Sequence, residues 1–335
     1  MNYIGIDLHK RFLVVSVMDA EGRSGKPIQY PCSDVPAIRS CFESLRPFTA
    51  VIEASCSYRW LYDMLSLLGQ PVVAHPSRLR AIVAGRAKTD KLDASLLASL
   101  LRGGLIPCSY VPPEAYQRLR DIVRWRCRLA RQLAEAKTTL QGILARTNVH
   151  APEKTLYGKR GRSFVAEHDF GPAHNMARDE LLRRLAYFEG EVEAADRQLK
   201  TLAALFPQTA ALTGIPGIGL YSALLIIAEI GEPERFSNGR QVGAYAGLTA
   251  RVNQSGEHAY YGHITRQGSP WLRWILVQAA MKAVRKDPGL ERFYTRLRKR
   301  SSKHIARVAA ARKLASICWI RLMAWRKQNV AAQAA

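Results

Sequence analysis

The chain's six cysteines (Cys32, Cys41, Cys56, Cys108, Cys127 and Cys318) form no Cys-x-x-Cys and no paired spacing. That scatter excludes a cysteine zinc site and a disulfide scaffold, and it predicts a reducing compartment such as the cytoplasm. The eight histidines form no His-x-His or His-x-x-x-His pair, so the common imidazole metal patterns are absent too. Long hydrophobic runs are also missing. The longest, Leu220 to Ile230, contains Ser222 and Glu229 and is too short to cross a bilayer. Met1 to Asp7 has no signal-peptide layout, so no membrane partner is expected. Acid is scarce: 27 Asp and Glu stand against 50 Lys and Arg, a formal net charge of +23. Such an excess favours a polyanionic partner and says nothing about fold.

Where acid is scarce, its positions are informative. Asp7 closes the apolar run Tyr3-Ile4-Gly5-Ile6, and Glu53 closes Ala50-Val51-Ile52; both runs read as strands. Asp90 and Asp93, in Lys88-Thr89-Asp90-Lys91-Leu92-Asp93, open a helix that continues through Leu96, Leu97, Leu100 and Leu101. Residues three apart share a helix face, so this pair projects together. Two strand-end carboxylates and a helical pair can hold two hard cations about 4 Å apart, an arrangement that splits phosphodiesters. The competing reading is structural, because such acids also form turns and cap helices.

At 335 residues the chain predicts two or three domains. Residues 1–110 alternate strand-like and helix-like segments. Phe12 to Met18 reads as a strand returning beside the first and Pro27 to Pro31 as a third, which favours a ribonuclease-H-like α/β sheet over a plain doubly wound one. Pro112-Pro113 breaks the chain. Residues 111–206 then carry two helical apolar repeats, Leu119 to Ile143 and Leu181 to Leu202, which fit an antiparallel coiled-coil hairpin or a dimerising pair. The first repeat bears Arg118, Arg120, Arg124, Arg126, Arg128 and Arg131, either a nucleic-acid face or a solvated one. Between the repeats, Gly158-Lys159-Arg160-Gly161-Arg162 reads as a flexible basic loop. Residues 207–330 read as a mostly α-helical domain whose last helices are strongly basic, Arg296, Arg298, Lys299 and Arg300 among them.

Two further motifs carry chemistry. Gly214-Ile215-Pro216-Gly217-Ile218-Gly219 matches a helix-hairpin-helix-like turn, in which Gly217 and Gly219 let backbone amides approach a DNA phosphate. A packing turn between helices is the alternative. Downstream, Ser255 precedes Gly256 in a polar loop, with Arg251, His258, His263 and Arg266 near it in sequence. Spacing alone does not make Ser255 a nucleophile.

In this order, Ile4-Gly5-Ile6-Asp7, Ile52-Glu53-Ala54-Ser55, Lys88 to Ala94, Ile215 to Gly219, Ala246-Gly247-Leu248 and Ser255-Gly256 resemble one family. It is the insertion-sequence one-ten transposases, with the Piv-type DNA invertases as relatives, and the match covers nearly the whole chain. The resemblance implies a RuvC-like N-terminal domain whose DEDD carboxylates, here Asp7, Glu53, Asp90 and Asp93, bind magnesium, with manganese as a substitute. It implies a coiled-coil insertion that mediates assembly as a dimer or tetramer, and a C-terminal transposase domain with a nucleophilic serine, here Ser255. It also implies a bridge RNA that pairs with donor and target DNA. Many members have Ser-Lys where this chain has Thr265-Arg266, which keeps Thr265 as a rival nucleophile. Two other readings fit the residues: a Holliday-junction-resolvase-like endonuclease, which needs no serine, and a non-catalytic nucleic-acid-binding protein.

Overall fold

The computed structural model describes residues 1–83, 90–151, 156–255 and 258–334, in two compact units, Met1–Val111 and Pro112–Ala335. The first unit runs β1 (Asn2–Leu8), β2 (Phe12–Met18), β3 (Ile28–Pro31), α1 (Val35–Ser44), β4 (Phe48–Glu53), α2 (Tyr58–Ser66), β5 (Gln70–Ala74), α3 (Pro76–Val83) and α4 (Asp90–Arg102). Its sheet has the order β3-β2-β1-β4-β5. The first three strands pair antiparallel, and β1, β4 and β5 are parallel. This is the mixed sheet anticipated from two neighbouring strands followed by α/β alternation.

Alternation along the strands sorts side chains to two faces. Ile4, Ile6, Leu13, Val15, Ala50 and Ile52 pack with Ile38, Phe42, Leu61 and Leu65 of α1 and α2. Val51 and Ala74 lie on the other face, with Leu79 of α3 and Leu97 and Leu100 of α4. Gly5 allows α4 to sit close on that face: a Cβ there would lie 2.0 Å from the Ala94 carbonyl oxygen. The hydroxyls of Ser16 and Ser95 meet at 3.1 Å across the same contact. At the far end of α4, Arg102 donates to the carbonyl of Ala20, just past β2. Since Met18 pairs with Tyr3 near the start of β1, the N-terminal turn of α4 lies toward the end of β1, where Asp7 stands.

The second unit begins with α5 (Glu114–Arg146), α6 (Lys159–Glu167) and α7 (Pro172–Leu202). Helices α5 and α7 run antiparallel. Arg126 meets Asp196 at 3.0 Å and Lys137 meets Glu189 at 3.5 Å, while Leu140 and Ile143 cluster with Leu181 and Leu185. Helix α6 corrects the expected basic loop. Gly158 stands at its N-cap, Gly161 and Val165 are buried, and Arg162 donates to Glu189 at 2.6 Å.

There follow α8 (Thr209–Thr213), α9 (Leu220–Ile230), α10 (Gly239–Tyr245), β6 (Ala250–Ser255), β7 (His258–Ile264), α11 (Pro270–Val284), α12 (Pro288–Arg298) and α13 (Lys303–Ala334). The apolar run Leu220 to Ile230 becomes the central helix α9, with Ala223 to Ile230 all buried. No helix among the described residues is long and apolar enough to cross a membrane.

One buried network joins α5 to α9. Arg124 meets the Glu229 carboxylate with two hydrogen bonds, at 2.7 and 2.9 Å. Arg120 donates to the carbonyls of Ala228 and Glu229, satisfying the end of α9. The Glu229 side chain is fully buried, and Arg124 is the cation it meets there. Arg124→Ala should lower unfolding free energy by about 3–5 kcal/mol, the scale for stranding one partner of a buried pair. Urea titration checks it, and a loss below about 1 kcal/mol would show that water replaces the guanidinium.

Candidate functional site

The strand-end carboxylates come together through register. Ile6 pairs with Ile52 in the parallel β1–β4 ladder, so Asp7 and Glu53 are the next neighbours. Asp7 is two residues on from Gly5, and both therefore lie on the face that α4 covers. Its side chain is only 17% exposed and meets His9 Nε2 at 3.1 Å. Sequence reading missed His9; the available signal was an Asp-x-His spacing at a strand end. Asp93 sits partly exposed in the first turn of α4, one residue before Ala94. Asp90 begins that helix; its side chain, with Lys88 and Thr89, lies outside the described residues. Among the described residues no group of three or more His, Cys, Asp or Glu gathers closely enough to hold a metal ion. The structure thus brings Asp7, Glu53 and Asp93 to one end of one sheet face without closing a ligand cluster.

In the second unit the two glycines of the expected hairpin turn differ. Gly217 has φ +86° and packs against α11, where a Cβ would lie 2.8 Å from the Ala283 amide nitrogen. Gly219 is exposed, has nothing within 4 Å of its Cβ position, and is the N-cap of α9 with no side-chain cap. The packing reading fits Gly217, and the open amide end belongs to Gly219.

The expected polar loop around Ser255 is instead an antiparallel ribbon of β6 and β7, a strand pair absent from the mostly helical expectation. Ser255 pairs with His258 at the last described rung; the Ser255 side chain, and all of Gly256 and Glu257, lie outside the described residues. Arg251 and Arg266 are exposed, the latter at φ 53°. The Thr265 amide donates to the Thr249 carbonyl at the ribbon's base.

The basic helices divide into engaged and open residues. On α5, Arg118 pairs with Glu114, Arg120 and Arg124 serve the Glu229 network, and Arg126 pairs with Asp196. Arg131 stacks over Trp271. That helix is therefore largely a structural contact, and of its arginines from 120 to 128 only Arg128 is exposed. Arg296, Arg298, Lys299 and Arg300, at the end of α12, are all exposed. None has an ion-pair partner among the described residues.

Two family models match the chain. A DEDD transposase model covers residues 4–149, from β1 to just past the end of α5, and includes all four carboxylates. A model described as transposase IS116/IS110/IS902 family covers residues 209–295, from α8 into α12. The first match implies a ribonuclease-H-like fold, with which the mixed sheet agrees. Relatives include the y4qE protein of Sinorhizobium fredii, named as a candidate transposase, 28% identical over 83% of this chain and 70% of its own. A Pseudomonas aeruginosa protein named as a candidate family 20 transposase is 27% identical over 95% and 96%. The transposase for insertion sequence element IS1328 of Yersinia enterocolitica is 25% identical over 82% and 83%. Carboxylate segment and C-terminal segment are thus matched in order along one chain, which belongs to the IS116/IS110/IS902 family of insertion-sequence transposases.

Proposed function

We propose that the chain cuts and rejoins the DNA of its insertion sequence with a carboxylate-held divalent cation and a serine nucleophile, guided by an element-encoded bridge RNA. The observation that carries this reading is the register pair of Asp7 and Glu53 at the sheet end toward which the first turn of α4 points. The donor set fits: carboxylate oxygens are what magnesium, or manganese in its place, takes. Asp7, Glu53 and Asp93 share one end of one face, and Asp90 opens the same helix as Asp93. These four residues would hold the ion. Bound there, it would neutralise charge on a scissile phosphate and ease ionisation of an attacking hydroxyl.

The protein's own residues supply the rest. A serine hydroxyl is a weak nucleophile until its proton is taken. When Ser255 attacks, an Oγ–P bond forms and the bond from phosphorus to one strand's oxygen breaks. The serine proton leaves to a base, and the freed oxygen takes up a proton to become a hydroxyl. A hydroxyl of another strand then attacks the phosphoserine, restoring the serine and joining the strands. One phosphoester replaces another at each step, so no ATP is needed. Thr265 has the same chemistry behind a more hindered secondary hydroxyl.

Binding would be shared. The open amide end of α9 at Gly219 suits a backbone phosphate, with Gly217 shaping the turn that presents it. Arg251, Arg266, Arg296, Arg298, Lys299 and Arg300 offer cations for DNA or RNA backbones. The antiparallel α5–α7 pair serves as a coiled-coil arm that assembles a dimer or tetramer.

The full chain, purified with its co-purifying RNA, should nick a labelled duplex carrying an end of the element only when magnesium or manganese is present. Nicking that survives chelation rejects the metal half of the reading. Absence of any defined RNA rejects the guide.

A further inference from the structure

The described side chains of the β6–β7 ribbon are exposed on both faces. Successive strand residues point to opposite sides, yet the neighbours Arg251 and Val252 are both exposed. Val252 is 52% and Tyr260 72% exposed, large apolar surfaces that a packed hairpin would bury. The base, by contrast, is tightly fixed. Gly268, at φ +90°, lies so close to the end of α10 that a Cβ would come within 1.9 Å of the Tyr245 carbonyl oxygen. At Gly247, φ +67°, a Cβ would lie 2.4 Å from the Gln267 carbonyl oxygen. Arg273 donates to the Ala246 carbonyl beside them. The fold thus holds an uncovered ribbon on a rigid root.

We infer that this ribbon docks in the major groove of duplex DNA, laying the face with Arg251 and Tyr260 against the base edges. The inference rests on the reading of the chain as one that acts on DNA, and it adds the groove, the face and Tyr260. Size and charge select the partner. The B-form major groove is about 12 Å wide and admits a two-stranded ribbon. The deep, narrow major groove of A-form RNA does not. From Ala246 to Pro270 the sequence has Arg251 and Arg266 with Glu257 as its lone acid, which suits a phosphate-lined groove. Tyr260 pairs with Asn253, and Gly262 leaves its space 3.8 Å from the Arg251 Cβ, so Arg251 and Tyr260 belong to one face and Val252 to the other. A tyrosine ring offers apolar contact to a thymine methyl, and an arginine reads guanine or holds phosphate. Ser255 follows Asn253 by two positions on the same strand, so docking this face brings the proposed nucleophile's end of the ribbon to the duplex.

The test is dimethyl sulfate footprinting of the full chain on a short mixed-sequence duplex, which reports guanine N7 in the major groove and adenine N3 in the minor groove. The wild-type chain should protect guanine N7. Tyr260→Ala and Arg251→Ala should each lose that protection and bind about fivefold or more weakly, the scale of removing one base-edge interaction. Val252→Ala, on the opposite face, should keep it. As comparator, neutralising Arg296, Arg298, Lys299 and Arg300 together should flatten the slope of log affinity against log salt by about 0.9 for each phosphate no longer neutralised, with N7 protection retained at low salt. Salt-steep binding without N7 protection, or equal effects from Val252→Ala and Tyr260→Ala, overturns the ribbon and leaves the DNA reading standing. Equal Tyr260 dependence on an RNA hairpin also overturns it. No salt-dependent duplex binding at all removes the DNA reading itself.

Discussion

Asp7→Asn should slow strand cleavage by on the order of 10²–10³-fold, the scale of removing one preorganised charge from a transition state, while the protein remains folded. Asparagine keeps the shape of aspartate and loses the ligand charge, so the substitution separates chemistry from packing. The local cost is small. Asp7 is largely shielded, but its partner His9 is 40% exposed, and a half-exposed contact of this kind contributes about 0–1 kcal/mol. Glu53→Gln and Asp93→Asn should fall in the same range, because all three stand at one end of the β1–β4–α4 layer. Asp19→Asn is the control: Asp19 is held below the usual carboxylate range by the Arg23 backbone amide and side chain, remote from the β1–β4 end. Its loss should leave cleavage unchanged. Single-turnover cleavage against magnesium concentration, beside a thermal melt, makes the comparison. Asp7→Asn cleaving within about threefold of wild type would remove these carboxylates from the reaction.

What the sequence made legible follows from which interactions are local. The strands β1 and β4 could be read because Ile4, Ile6 and Ala50 to Ile52 form short apolar runs ended by an acid, and the ladder then placed those acids side by side. Helix α5 could be read because its apolar spacing runs uninterrupted by proline from Glu114 to Arg146. The ribbon could not. Strand alternation becomes visible when one face is buried, and the described residues on both faces of β6–β7 meet solvent. Helix α6 was hidden by Gly158 and Gly161, the first its N-cap and the second buried within it, places that composition does not reveal. The arginines of α5 look alike in sequence, yet Arg124 is defined by Glu229, 105 residues away. Gly217 gives the same lesson. Its motif suggested a phosphate, and its missing Cβ is filled by α11. Pairings of this range appear only once the chain has folded, and they decide which basic residues remain free for a polyanion.

Ser255→Ala should abolish the covalent protein–DNA adduct and strand rejoining while leaving nucleic-acid binding near wild type. The argument is chemical. Alanine removes the one oxygen able to form the Oγ–P bond and leaves Asp7, Glu53, Asp90 and Asp93 in place, so a cation could still bind. It also leaves Arg251, Arg266 and the α12 cations, so the charge that attracts a backbone is unchanged. Folding should tolerate the change, since Ser255 stands at the last described rung of an exposed ribbon and alanine adopts strand geometry readily. Ser255→Cys should retain trace activity at most: a thiolate is nucleophilic, but its larger sulfur changes both reach and metal preference. The decisive measurement traps the reaction of the full chain with its RNA and labelled DNA, digests it, and locates the phosphorylated peptide by mass spectrometry. Phosphoryl-DNA on Thr265 would move the nucleophile to the other end of the ribbon, beyond β7. Metal-dependent cleavage with no adduct on either residue would make water the attacking group, and the chain would then cut DNA as a resolvase-like endonuclease does. The two variants also check each other. Asp7→Asn should lose cleavage and adduct together, because the serine cannot react at an unneutralised phosphate. Ser255→Ala should lose the adduct even where slow, metal-dependent hydrolysis persists, and that difference assigns the two halves of the reaction to the two motifs.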